Sequence, residues 1–119
     1  MKLVIERSKW YRGKGDKDSR LLVTKSLVPE DNGKMCCLGF CALMLGVPKE
    51  YIENVGMPMR AFLKFGVPKW FGTNVFDKDR QEIYDFAYTN DNTTLDEEYR
   101  EARITELFAK KDIQVEFVD

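Results

Sequence analysis

All three cysteines of the chain fall within Lys34-Met35-Cys36-Cys37-Leu38-Gly39-Phe40-Cys41-Ala42-Leu43-Met44-Leu45-Gly46, and the chain has no histidine. A cysteine at the start of a helix, Cys36 or Cys37 here, is a candidate nucleophile, because unpaired backbone N–H groups and a nearby cation such as Lys34 favour the thiolate. The usual partner is missing, since thiol catalysis and zinc binding both commonly draw on imidazole. A carboxylate such as Asp31 would have to act as base, or the thiol would act unaided. Zinc is disfavoured further: C-C-x-x-x-C lacks paired C-x-x-C knuckles and would need a distant Asp or Glu as fourth ligand. The sequence therefore predicts neither a metal nor a cofactor. The stronger reading of the thiols is that they pack as small hydrophobes.

A second constellation is Trp10-Tyr11-Arg12-Gly13-Lys14-Gly15, flanked by Arg7, Lys9, Lys17 and Arg20. Aromatic rings can stack a base while Arg and Lys hold phosphate, so this basic, glycine-containing loop is a candidate contact for a nucleotide or a partner protein. It is not a P-loop, because the G-x-x-x-x-G-K-[ST] spacing is absent. The structural alternative is a solvated hairpin turn with Trp10 folded back on the core. The acids Asp96, Glu97 and Glu98 are accounted for as helix-start residues, and Asp77 and Asp79 as residues approaching a helix.

Composition narrows the classes. At 119 residues, 44% apolar and 33% charged, the chain fits one globular domain, 1–119. Met35 to Leu45 is the longest apolar run, far short of the roughly 20 residues a bilayer requires. The opening Met1-Lys2-Leu3-Val4-Ile5 meets Glu6 and Arg7 before a secretory segment develops. An odd number of clustered thiols suits a reducing compartment, so a cytoplasmic protein is expected. The net charge of −1 hides an asymmetry: residues 1–28 carry eight Lys/Arg against three Asp/Glu, and residues 77–119 carry six against thirteen. Such a dipole either steers a charged partner or lets the two ends neutralise each other in the fold. Duplex DNA is an unsuitable partner, since the chain is acidic overall and no helix has a basic face.

The elements that must position these residues follow from periodicity. Lys2 to Arg7 alternates as a half-buried strand, and Leu21 to Thr24 as a second, hairpin-like one; Pro29-Glu30-Asp31-Asn32-Gly33 breaks the pattern. Met35 to Leu45 is apolar on every helical face, which predicts a helix surrounded by protein, with Gly39 marking a close backbone approach and Gly46 the C-cap. Pro48 opens a short helix through about Asn54. Residues 56–76 read as short turns pinned by Phe62, Phe65, Trp70, Phe71 and Phe76. A helix runs from Asp79 to about Tyr88, with Ile83, Phe86 and Ala87 inward, and stops at Asn90-Asp91-Asn92. Thr94-Leu95-Asp96-Glu97 has the form of a capping box for a last helix with Ile104, Leu107 and Phe108 inward. Gln114 to Val118 alternates again. The expected fold is α+β: a short antiparallel sheet including the N- and C-terminal strands, packed around a buried central helix at about 35–45.

The order of Trp-Tyr-Arg-Gly-Lys-Gly, then Gly-Lys-Met-Cys-Cys-Leu-Gly-Phe-Cys, then Thr-Asn-Asp before an acidic-start helix resembles a set of small proteins encoded by bacteriophages and prophages. The likeness touches most of the chain and is most specific at Cys36 to Gly39 and at Asn90-Asp91. The resemblance implies a small cytoplasmic protein in an infected bacterial cell, of a kind that acts by binding. The expectation is an accessory protein that modulates a host process or antagonises a host defence without catalysis, with Arg7, Lys9, Trp10, Tyr11, Arg12 and Lys14 as contact residues. Its partner is then a host protein. The alternatives are sequestration of a small nucleotide signal by the same loop, and an enzyme using Cys36 or Cys37. Whether the chain forms a homo-oligomer is open at this level.

Overall fold

The first and last segments of the chain pair with each other. Strand β1 (Lys2–Glu6) and strand β2 (Gln114–Val118) form a two-stranded sheet, with Lys2 opposite Gln114 and Ile5 opposite Phe117. The computed structural model describes residues 1–12, 20–24, 31–72 and 80–119. The turn expected at Gly13 and Gly15, the side chains of Lys14 and Lys17, and Pro29, Glu30, Phe76, Asp77 and Asp79 lie outside the described residues.

The sheet is parallel, which corrects the antiparallel pairing expected from sequence. Alternation fixes which face of a strand is buried, here Leu3 and Ile5 of β1, and is the same for either direction of pairing. Direction is set by what joins the strands. Helix α3 (Glu97–Ala109) ends in a tight reversal at Lys110–Ile113, where Asp112 takes a left-handed φ of 59°, and β2 returns along α3 to lie beside β1. The expected hairpin partner of β1 is likewise corrected: Leu22 makes only an isolated bridge to Glu53.

Helix α1 (Cys37–Met44) is the predicted central helix, one turn shorter than its apolar run. Residues Cys37 to Ala42 are buried, whereas Leu43 reaches the surface, so the helix is enclosed except at its last turn. Gly39 is where a backbone crosses closely. A Cβ built there would collide with the carbonyl oxygen of Leu21 and lie 2.7 Å from its carbonyl carbon. Gly46, at φ +96°, supplies the left-handed turn after the helix, as expected.

Around α1 the chain lies in extended pieces rather than long strands. Residue 35 is bracketed by the N-terminal segment, with Met35 N donating to Lys9 O and Tyr11 N donating to Met35 O, at 2.9 and 2.7 Å. On the other side Cys36 N donates to Arg20 O and Val23 N to Lys34 O. The region after α1 is built of 3₁₀ turns at Lys49–Tyr51, Arg60–Phe65 and Lys69–Gly72, pinned by Phe62 and Phe71 as expected; the short helix from Pro48 to Asn54 is reduced to the first of these. Helix α2 (Arg80–Asp91) runs through Asn90 rather than stopping before it.

The predicted inward residues Ile83, Phe86, Ile104, Leu107 and Phe108 join Leu3, Ile5 and α1 in one core, with Phe86 and Phe108 in ring contact at 4.5 Å. The α-carbon radius of gyration is 13.2 Å, close to the ~13.5 Å of a well-packed domain of this length. Among the described residues, no helix is long and apolar enough to cross a membrane.

Candidate functional site

The thiols sit where the sequence places them and are chemically quiet there. Cys36 is the N-cap of α1, in extended conformation, and Cys37 is its first residue. All three cysteines are free and buried. Burial pushes the Cys36 thiol up to about 12, outweighing hydrogen bonds from the backbone N–H of Gly39 and its neighbours that favour the anion. Burial also raises Cys37 and Cys41 well above the ordinary thiol range. Lys34, the cation expected to assist, instead places its Nζ 3.3 Å from the buried Asp31 carboxylate. Helix position alone therefore does not activate Cys36 or Cys37, because removal from water costs the thiolate more than the helix end returns.

The unmet N–H of α1 is satisfied from a distance. Asn90, on the inward face of α2 and 1% exposed, accepts at Oδ1 from Cys37 N at 2.9 Å and from Trp10 Nε1 at 2.7 Å. Its Nδ2 donates to Tyr11 O at 2.9 Å and to Asp91 Oδ1, while its backbone oxygen accepts from Arg100 Nη1 at 2.9 Å. One side chain thus ties the start of α1, the Trp10-Tyr11 segment and, through its backbone, α3.

Trp10 is folded back on the core, 3% exposed, with its ring 5.1 Å from Phe117. The Arg12 guanidinium lies 4.5 Å over the Trp10 ring, and Arg7 lies 5.8 Å over Phe117. Trp10 therefore supports the segment and is not presented for stacking a base; Tyr11 is half-buried at the surface.

Beneath this segment is a cavity of about 310 Å³ whose lining includes Arg7, Tyr11, Arg12, Asp31, Lys34 and Arg100. Arg7 is tied to Glu101 through Nε and Nη2 at 2.9 and 2.8 Å and to Asp119 through Nη1 at 2.9 Å, contacts that raise its already high pKa further. Arg12 pairs with Glu97, whose side chain is 61% exposed. Arg100 is different. It is 6% exposed, and its Nη1 donates to the carbonyl oxygens of Arg12 and Asn90 at 2.9 Å, while its Nε has no hydrogen-bond partner among the described residues. Lys9 points elsewhere, 3.7 Å from Glu6 and well exposed. Of the residues expected to make contact, the fold brings Arg7, Trp10, Tyr11 and Arg12 to one cavity and leaves Lys9 off it.

Arg100 and Asn90 were missed as site residues. Their signal is positional: Asn90 continues the Ile83–Phe86 stripe of α2, and Arg100 precedes Ile104 and Phe108 on the stripe of α3, so each puts a polar group where the helix faces inward. A larger groove of about 900 Å³, lined by residues including Arg20, Met57, Tyr84 and Tyr88, is mostly uncharged. No group of His, Cys, Asp and Glu among the described residues could hold a metal ion. Comparison of the chain with family models, with curated proteins and with solved structures finds no match.

Proposed function

We propose that this chain is a non-enzymatic binding protein whose contact site is the cationic cavity beneath Trp10-Tyr11-Arg12, acting in the manner of the small phage accessory proteins it resembles to modulate a host process or antagonise a host defence. The observation that carries the reading is the convergence of Arg7, Arg12, Lys34 and Arg100 on one open cavity, while the only nucleophilic thiols are sealed in the core with raised pKa values. A charged, accessible concavity suits recognition of an acidic group, and buried protonated thiols do not suit nucleophilic attack.

Sequestration of a small nucleotide is the second reading, favoured by the dimensions of the cavity. A space of about 310 Å³ admits a phosphate and part of its carrier. With Trp10 buried, the base would rest on Tyr11.

Native mass spectrometry of protein recovered from bacterial lysate, as wild type and as Arg12→Ala, tests the proposal. The expected result is an adduct on the wild type that is lost or strongly reduced on the variant. A protein-sized adduct identifies antagonism, and a small one with nucleobase absorbance identifies sequestration. An adduct held equally by both proteins would move the contact site away from this cavity.

A further inference from the structure

The guanidinium of Arg100 is buried, and no carboxylate of the described residues pairs with it. Of the cations lining the cavity, Arg7 is bound by Glu101 and Asp119, Arg12 by Glu97, and Lys34 by Asp31. Among the described residues, Arg100 bonds to two backbone carbonyls, both through Nη1. Among the described residues its Nε, on the edge it shares with Nη2, meets no acceptor. That edge is the side-on fork with which arginine takes up two oxygens of one oxyanion. A buried cation with neither counter-charge nor full hydrogen bonding is costly. An oxyanion ligand relieves both deficits together.

We infer that the cavity binds a single oxyanion group, received side-on by Nε and Nη2 of Arg100. The inference rests on the reading of the cavity as the contact site and names the chemistry it recognises. Arg12 is placed to assist, because its present partner Glu97 is largely exposed and such a surface pair exchanges readily for a ligand oxygen. Arg7, gripped on two sides, contributes field rather than contact. The size of the cavity suits a phosphoryl or carboxylate group at the end of its carrier.

The test is a titration of the folded wild-type protein with inorganic phosphate, and separately with acetate, against chloride at constant ionic strength, following the Nε–H resonance of Arg100 by NMR. The expected result is a saturable shift of that resonance in at least one oxyanion series and none in chloride. Saturation by phosphate alone identifies a phosphoryl ligand, and saturation by acetate alone a carboxylate. Arg100→Lys keeps the charge and removes the fork, so it should bind at least about tenfold more weakly. If that variant does not fold, the wild-type resonance still decides. An Arg100 resonance unmoved by either oxyanion, as when only water occupies the edge, overturns the inference. Should the lysate adduct persist and depend on Arg12 while this resonance stays unmoved, the inference fails and the binding function stands.

Discussion

At the start of α1, the side chains with nucleophilic potential, Cys36 and Cys37, are sealed from water, whereas around Arg100 the side chains of Arg7, Arg12 and Lys34 line an open cavity. Both regions are fastened to the side chain of Asn90, which bonds to Cys37 N on one side and to Trp10 Nε1 and Tyr11 O, in the segment over the cavity, on the other. Residue type proposes chemistry, while burial and partners decide it. The helix end that could have activated a thiol is capped by an amide, and the thiols beside it serve as packing. Arg7 and Arg12, which the sequence offered as contact residues of a basic loop, acquire a defined cavity.

Removing the shared fastening should damage both regions at once. Asn90→Ala leaves the N–H groups of Trp10 and Cys37 without their acceptor and takes the Asn90 Nδ2 donor from the Tyr11 carbonyl. Buried polar groups left unsatisfied cost about 1–3 kcal/mol each. The expected loss is about 4 kcal/mol, measured as a fall in the urea midpoint at unchanged slope, and a loss below ~1 kcal/mol would show that the two regions do not depend on this residue. Gly39→Ala strikes the thiol helix alone. The added methyl meets the backbone of Leu21, which cannot rotate away. A cost of about 3 kcal/mol is expected in the same measurement, with anion binding by the molecules that remain folded unchanged.

The thiols also predict a dependence on pH. Their folded pKa values lie above the ordinary value of 9.0, reaching about 12 at Cys36. The unfolded chain therefore gives up these protons first. The stabilisation is fully present below pH 9 and is lost as pH rises through the folded values. Each buried thiol contributes up to about 1.4 kcal/mol per pH unit above 9. Urea midpoints at pH 8 and pH 10 should fall further apart for the wild type than for Cys41→Ala, and equal differences would mean that Cys41 is not held protonated by burial.

The smallest expected effect concerns the helix that carries Arg100. The capping residue of α3 is Asp96, which accepts from Tyr99 N at 2.7 Å, and not Thr94, which bonds to Asn92. Asp96→Ala should cost about 1 kcal/mol of stability. Thr94→Ala should cost only a few tenths, and the reverse order would restore the capping box read from the sequence.

Most of the fold was legible because it rests on periodicity and turn chemistry. The α1 core, the inward stripes of α2 and α3, the Gly39 crossing and both terminal strands follow from apolar spacing and from where glycine stands. The direction of β1 against β2 was not legible, since alternation is blind to strand polarity. The cap of α3 was misplaced by two residues because Thr94 and Asp96 both suit the role, and the choice between them depends on where the chain leaves α2. For the site, Arg7, Trp10, Tyr11 and Arg12 were visible as a cluster, but the role of Trp10 depended on Asn90, eighty residues away. Arg100 escaped notice and Asn90 was read as a turn residue, because each looks like an ordinary polar residue until its position on an inward stripe is considered.

The contrast between silent thiols and an open cationic cavity is tested most directly by native-state alkylation with iodoacetamide at pH 8, with each cysteine quantified separately by peptide mass spectrometry. The account predicts that Cys36, Cys37 and Cys41 all react at least about a thousandfold more slowly than a free thiol, and that their rates rise together as urea unfolds the chain. A single cysteine, Cys36 or Cys37 above all, that reacts in the folded protein as fast as a free thiol would contradict it and return the chemistry of this molecule to the start of α1.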